Sequence, residues 1–350
     1  MRIAQLAPLV EAVPPGTYGG TERVVDWLCR ELTARGHEVT LFASGDSKTA
    51  ARIVPAAPRA LRTSGTLHDP IAWHLASVER LRGCARDFDV IHSHLDYLPL
   101  PALRGVPTPV VTTLHGRLDV SGLREIYRHF PDRPLVAISD AQRQTLPELP
   151  WAGTIHHGLP VNDYPFGPGD GDFFLFLGRI SPEKRPHVAI DVARRAGVRL
   201  VLAAKVDAAD RAYHEERVRP LLGEPGIEFL GEVDHREKVE LLGRCRALLF
   251  PVLWPEPFGL AMIEALACGA PVIARRCGST PEVVRHGETG LLCDDDDALV
   301  RALTEVDRID RLACRRDVEE RFSSARMAAD YEAVYRRVGS ESATVRRQTA

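Results

Sequence analysis

The sequence predicts an α/β protein built from two doubly wound domains, each a parallel sheet covered by helices on both faces. Three observations carry that expectation. The 350 residues exceed one ordinary core, since domains of about 150–200 residues are the usual unit. Short, continuously apolar runs, the mark of strands buried on both faces, alternate from end to end with stretches of helical periodicity. The alternation is broken once, by the Asn, Asp, Pro and Gly of 162–171, and then starts again.

Taken in order, 2–9 reads as an apolar strand, followed by a Pro- and Gly-rich loop over 10–20. Val24, Val25, Leu28, Cys29 and Leu32 recur at the spacing of one helix face, and Gly36 stops that helix. A strand at 38–44 follows, then strands at 89–95, 109–114, 135–138 and 154–157, with helices between most of them. After the linker-like segment the second series runs 173–178, 199–204, 227–231, 247–252, 271–274 and 290–293. The expected division is an N-terminal domain over 1–165 and a C-terminal domain over 166–322. A last helix over 323–338 carries Met327, Ala328, Tyr331, Val334 and Tyr335 on one face, so it should pack back on the N-terminal domain. The polar residues 339–350 read as a disordered tail.

Composition removes several functions. Apolar residues make up 45% and charged residues 27%, with a net charge of −3, so there is no broad basic field for nucleic acid. No run approaches the ~20 apolar residues of a membrane span. The N-terminus reads as a strand rather than a signal peptide, and a cytoplasmic protein is expected. The seven cysteines are widely spaced, which suits free thiols in a reducing compartment. His92 and His94 share a strand face, but even with Asp96 they lack the ligand spacing of a metal site. Asp87-Phe88-Asp89 precedes a strand and is not taken as a metal motif either. No metal and no cofactor are expected.

The richest stretch is Glu256-Pro257-Phe258-Gly259-Leu260-Ala261-Met262-Ile263-Glu264. Two carboxylates bracket a glycine at the start of a helix. Glu264 sits among Ile263, Ala265, Leu266 and Ala267, where a charge is costly unless paired. The free N–H groups at a helix start suit a phosphate. Carboxylates for sugar hydroxyls beside a phosphate seat suggest a nucleotide-sugar site. Gly19 and Gly20 follow the first strand and let backbone approach a ligand closely. No Gly-x-Gly-x-x-Gly follows that strand, which disfavours NAD. Arg179 and Lys184 follow the first strand of the second series, and His115 follows the 109–114 strand.

With these residues the chain resembles a retaining glycosyltransferase of family 4 (glycosyl transferases group 1), of the two-domain GT-B superfamily. The resemblance covers nearly the whole length. Its parts are Tyr18-Gly19-Gly20-Thr21-Glu22, Leu114-His115-Gly116, Gly178-Arg179-Ile180-Ser181-Pro182-Glu183-Lys184, the Glu256 to Glu264 stretch, and Gly278-Ser279-Thr280-Pro281-Glu282-Val283-Val284. The resemblance implies transfer of a sugar from a nucleotide diphosphate sugar, without a metal. Arg179 and Lys184 would stabilise the leaving diphosphate. Glu256 would accept hydroxyls of the transferred sugar and Glu264 those of the ribose, with backbone N–H groups of Phe258, Gly259 and Leu260 between them. Gly19 and Gly20 would lie at the donor phosphates, and His115 would contact the donor sugar.

The donor would sit mainly on the C-terminal domain and the acceptor on the N-terminal one, with closure about the linker excluding water. The acceptor, whether small molecule, glycan or lipid, is not legible; the basic and apolar 117–133 could even touch a membrane surface. Two departures stand out. Arg185 occupies a place where many relatives carry Gly, and His156-His157-Gly158 stands where many have Asn-Gly. Two rival readings remain at this stage. One is a GT-B epimerase or phosphorylase; the other is a non-catalytic nucleotide-sugar-binding subunit, which would be expected to lack one of Arg179, Lys184, Glu256 or His115.

Overall fold

The structure is a computed structural model that describes residues 1–65 and 69–349, with side chains described as far as Glu341. It divides into two compact units, Met1–Gly158 with Ser324–Ala350, and Leu159–Ser323.

The first unit holds seven parallel strands: β1 (Arg2–Leu6), β2 (Glu38–Ser44), β3 (Arg52–Ala57), β4 (Val90–Ser93), β5 (Val110–Thr113), β6 (Leu135–Ala137) and β7 (Trp151–Thr154). Their order is β3-β2-β1-β4-β5-β6-β7. β4 and β5 are buried along their whole length, as strands covered by helices on both faces must be. The strand order reverses between β1 and β4, whose pairing ends at Leu6 opposite Ser93. In open parallel sheets ligands bind beyond the carboxyl ends of the strands at such a reversal.

β3 lies outside the sequence expectation. It is an edge strand interrupted by Pro55; proline has no N–H for the ladder and is tolerated only at an edge. The strand expected at 154–157 instead begins at Trp151, although the ladder still reaches Ile155, whose amide donates to the Ala137 carbonyl at 2.8 Å.

The second unit holds six parallel strands: β8 (Phe173–Arg179), β9 (Arg199–Lys205), β10 (Ile227–Gly231), β11 (Leu248–Phe250), β12 (Val272–Arg275) and β13 (Gly290–Cys293). Their order is β10-β9-β8-β11-β12-β13, so the reversal falls between β8 and β11. Each sheet is doubly wound, as the sequence predicts.

The segment expected to be a linker belongs to the second unit. Tyr164 is fully buried, and the Gly167, Gly169 and Gly171 amides donate to the carbonyls of Cys268, Gly243 and Arg244. Arg311, on the helix Arg311–Arg321, donates to the Gly167, Gly243 and Cys245 carbonyls. Thus the boundary falls at Gly158 and Leu159 rather than at 165. Pro and Gly here serve close backbone packing rather than freedom.

The last helix, Ser324–Thr349, belongs to the first unit. Met327, Ala328, Tyr331, Val334 and Tyr335 are buried, as their spacing anticipated. The helix does not stop at 338, where a disordered tail was expected. A single Gly339 costs only about 1 kcal/mol within a helix, and the Ser, Glu and Ala that follow tolerate one. Ala350 lies outside the described residues. The seven cysteines are free, five of them buried. No helix among the described residues is long and apolar enough to cross a membrane.

Candidate active site

In the second unit the expected residues gather where β8 and β11 end. Lys184 follows β8, and its Nζ donates to Oε2 of Glu256 at 2.5 Å. The ammonium also lies 5.6 Å from the Phe250 ring centroid and 5.5 Å from that of Trp254. Aromatic faces favour a cation there, so the lysine is held at the strand ends. Glu256 is buried, and its loop is clamped from behind by Gly278-Ser279. The Ser279 amide donates to the Glu256 carbonyl at 3.0 Å, and the Ser279 hydroxyl donates to the Phe258 carbonyl at 2.8 Å. Gly278 has φ 56°, and a Cβ there would lie 2.4 Å from the Glu256 nitrogen. Only glycine fits that contact and that backbone angle.

Gly259 is the N-cap of the helix Leu260–Ala267, and no side chain caps it. The helix Gly20–Ala34 in the first unit likewise starts on a glycine, Gly19, without a side-chain cap. Elsewhere Asp69, Ser139, Asp234, Asp295 and Asp310 cap helices with their side chains. These helices begin beyond β1 and β11, the strands at the two reversals, with N–H groups left for an anion; the short helix Leu123–Arg128 also starts on a glycine, Gly122, without a side-chain cap. Gly19 is required in its own right, since a Cβ would lie 2.8 Å from that of Pro15.

Glu264, on the second turn of its helix, is buried and already paired. Lys238 donates to its Oε1 at 2.5 Å and the Tyr164 hydroxyl donates to the same atom at 2.8 Å. The burial anticipated from its apolar neighbours is thus met by an ion pair; Lys238 and Tyr164 are partners the sequence did not disclose.

Arg179 is placed less simply. It pairs with Glu183, with Asp210 at 3.3 Å and with Asp207 at 3.8 Å. Lys205 adds a cation 2.8 Å from Asp207. The guanidinium therefore stands among acids that follow β8 and β9.

Arg185 resolves its departure from the family pattern. Its backbone is left-handed, φ 55° and ψ 47°, the region glycine prefers. Its side chain is committed to Asp296 at 2.8 and 3.2 Å, an acid it shares with Arg275.

In the first unit four histidines converge around the carboxyl ends of β4 and β5, His92 from within β4 and the others from beyond the strands. His94 and His115 face each other, Nδ1 to Nε2 at 2.9 Å. The His115 ring stacks on His157 with centroids 5.2 Å apart. His92 lies against Tyr331 and Tyr335, centroids 4.8 and 5.6 Å away. Burial lowers the pKa of His115 to about 3 and those of His92, His94 and His157 well below the ordinary value, so all four rings are neutral at pH 7. Burial raises the Asp96 carboxyl to about 6, opposed by a hydrogen bond with the His115 backbone. Among the described residues no group of three or more His, Cys, Asp or Glu is placed to hold a metal ion.

Comparison with known proteins fits both units. Residues 18–161 match the family model Glycosyltransferase Family 4, and residues 166–318 match Glycosyl transferases group 1. The chain belongs to the family 4, group 1 glycosyltransferases. A glycogen synthase of Mycobacterium tuberculosis is 28% identical over 91% of this chain and 89% of its own length. A phosphatidyl-myo-inositol mannosyltransferase of Mycolicibacterium smegmatis is also 28% identical, over 89% and 86%. Among solved structures, a glycosyltransferase involved in avilamycin A biosynthesis superposes with a TM-score of 0.75 at 25% identity, covering 97% of this chain and 98% of that one.

In this glycosyltransferase the sequence reading thus brings Lys184, Glu256, Phe258, Gly259, Leu260 and Glu264 to one end of the second sheet. It brings Gly19, Gly20 and His115 to the matching end of the first. It missed Lys238, Tyr164, Gln5 and the two tyrosines of the last helix. Only the apolar face of that helix signalled Tyr331 and Tyr335, and it signalled packing rather than polar contact.

Proposed function

We propose that this glycosyltransferase is a retaining, metal-independent enzyme that moves a sugar from a nucleotide diphosphate sugar to an acceptor hydroxyl. The donor binds the second unit and the acceptor the first. The observation that carries the reading is the Lys184–Glu256 pair beside the uncapped helix start at Gly259. A cation, a helix N-terminus and a buried carboxylate at one end of the sheet match the donor: the first two suit the diphosphate and the third the hydroxyls of the sugar.

On binding, the diphosphate takes the N–H groups of Gly259 and Leu260 and draws Lys184 toward it. Glu256, released from Lys184, accepts from hydroxyls of the sugar. Glu264, held by Lys238 and Tyr164, keeps further acceptor sites on its carboxylate for the ribose hydroxyls. Arg179 adds charge only by exchanging Glu183, Asp207 and Asp210 for phosphate. As the bond between the anomeric carbon and the diphosphate oxygen breaks, negative charge grows on the leaving group. Fixed cations favour that state over the ground state. The acceptor oxygen bonds to the anomeric carbon on the face the diphosphate leaves, and its proton passes to a diphosphate oxygen. Donor electrostatics thus fall to residues of this chain, and no cofactor is required.

Thermal-shift measurement with UDP, GDP and ADP sugars tests the donor, since a ligand specific to the folded state raises Tm. The matching nucleotide sugar should raise Tm in the wild type and do so far less in Lys184→Ala. Incubation with that donor alone should give slow hydrolysis. Formation of an epimeric donor, or unchanged transfer by both Lys184→Ala and Glu256→Ala, would overturn the proposal.

A further inference from the structure

We infer that Gln5, His94 and Tyr335 are positioning residues that fix the tautomer of His115, keeping its proton on Nε2 and leaving Nδ1 as a bare acceptor. The inference deepens the proposed function by giving His115 Nδ1 a hydrogen bond from a substrate hydroxyl, and rests on that reading only for this contact. The geometry itself lies wholly within the first unit.

Gln5 sets the direction of the chain, with its amide nitrogen facing the Tyr335 hydroxyl and its oxygen facing His94. The Gln5 side-chain oxygen can only accept, and it lies 2.8 Å from His94 Nε2, so that nitrogen bears the proton. The His94 ring is neutral, which leaves its Nδ1 without one. Its partner 2.9 Å away, His115 Nε2, must therefore donate. A neutral imidazole carries one proton, so His115 Nδ1 has none. That atom is buried and has no hydrogen-bond partner among the described residues. A buried acceptor without a donor is unfavourable unless a ligand supplies one, and a substrate hydroxyl is such a donor.

The same polarity continues on the other side of Gln5. Its amide nitrogen donates to the Tyr335 hydroxyl at 3.2 Å. Tyr335 then donates to His92 Nδ1 at 2.7 Å, and His92 Nε2 donates to the Thr113 hydroxyl at 2.7 Å. Thr113 in turn lies 2.9 Å from the Tyr331 hydroxyl. All the donors therefore point one way, from His115 toward the last helix. Reversing any ring requires reversing the whole chain, so distant tyrosines hold the proton of His115 in place. Burial of the His92 and His94 rings removes water as a competing partner along the chain.

The test is the imidazole nitrogen spectrum of the full-length protein, labelled with 15N histidine, at pH 7.5. His115 is assigned by the signals lost in His115→Gln. The wild type should show His115 with a pyrrole-type Nε2 and a pyridine-type Nδ1. His94→Phe and Gln5→Leu should shift those signals toward the opposite tautomer or an average of the two. Tyr335→Phe keeps the packing of the ring and should produce a smaller shift in the same sense. His94→Asn, which retains an acceptor near the position of Nδ1, should restore the wild-type pattern. The turnover number with the nucleotide sugar that raises Tm should fall about tenfold or more in His94→Phe, as expected for a misplaced tautomer, with the donor KM little changed.

A wild-type His115 protonated on Nδ1, or identical His115 signals in the wild type, His94→Phe and Gln5→Leu, would sink the inference. A reversed tautomer with unchanged turnover upholds the hydrogen-bond chain and overturns the substrate hydrogen bond to His115 Nδ1, leaving the donor chemistry at Lys184 and Glu256 standing.

Discussion

Lys184 and Glu256 form an ion pair at 2.5 Å, with side chains 19% and 8% exposed, at the strand ends where a diphosphate sugar is proposed to bind. The pair keeps each charge compensated until a ligand replaces it. Removing one partner leaves the other charge largely desolvated, which costs about 3–5 kcal/mol for a fully buried pair and about 2 kcal/mol at this partial exposure. Lys184→Met should lose that amount in urea unfolding. The double variant Lys184→Met with Glu256→Gln should recover more than half of it, because no charge is then stranded. Transfer activity should remain absent in both. Recovery of stability without recovery of turnover separates the resting role of the pair from its role in donor binding.

Arg185 offers a test of whether a third cation serves the phosphates. Its left-handed backbone costs about 1–2 kcal/mol relative to glycine, while its partly exposed pair with Asp296 contributes about 1 kcal/mol. Arg185→Gly should therefore leave stability within about 1 kcal/mol of wild type. The donor KM should also stay within about twofold, since the guanidinium is already committed to Asp296. A tenfold rise in donor KM would show instead that Arg185 turns to the ligand.

Much of this was legible in the sequence because parallel strands covered on both faces leave long apolar runs, and because Gly259, Gly278 and Glu264 have few alternatives at their positions. Edge strand β3 was not legible, because Pro55 breaks the run that marks a strand. The segment around Tyr164 looked like a linker because Pro, Gly and Asp also mark loops; its packing depends on Arg311 and Arg315, some 150 residues later. The histidine chain was invisible for the same reason. His92 meets Tyr335 across 243 residues of sequence, and no local spacing records such a contact.

Gly278 tests the clamp behind Glu256. Alanine there would put a Cβ 2.4 Å from the Glu256 nitrogen and 2.7 Å from its carbonyl oxygen, at φ 56°. The clash involves backbone, so it cannot be relieved by rotating a side chain. Gly278→Ala should cost about 2 kcal/mol or more and should displace Glu256, lowering the turnover number well beyond the loss of stability. Ser279→Ala removes only the bond to the Phe258 carbonyl and should cost about 1 kcal/mol with activity largely kept. Equal effects of the two variants on turnover would show that Gly278 does not position Glu256.

Glu332 ties the last helix to the first unit and gives that attachment a pH dependence. Arg35 donates to its carboxylate at 2.7 and 3.2 Å, and the His37 ring lies 2.8 Å from the same group. The hydrogen bonds from Arg35, with those from His37, lower its pKa from 4.5 to about 2. A carboxyl whose folded value lies below its unfolded value stabilises above the unfolded value and loses that stabilisation as pH falls through the folded one. The shift corresponds to on the order of 2–3 kcal/mol at pH 7. Glu332→Gln should lose that amount in urea unfolding at pH 7. Between pH 4.5 and pH 3.5 the gap between variant and wild type should close by about 1 kcal/mol, because the unfolded wild-type chain takes up its proton there while the folded one does not. A gap that stays constant from pH 7 to pH 3.5 would mean that packing, rather than the ionised carboxylate, accounts for the loss.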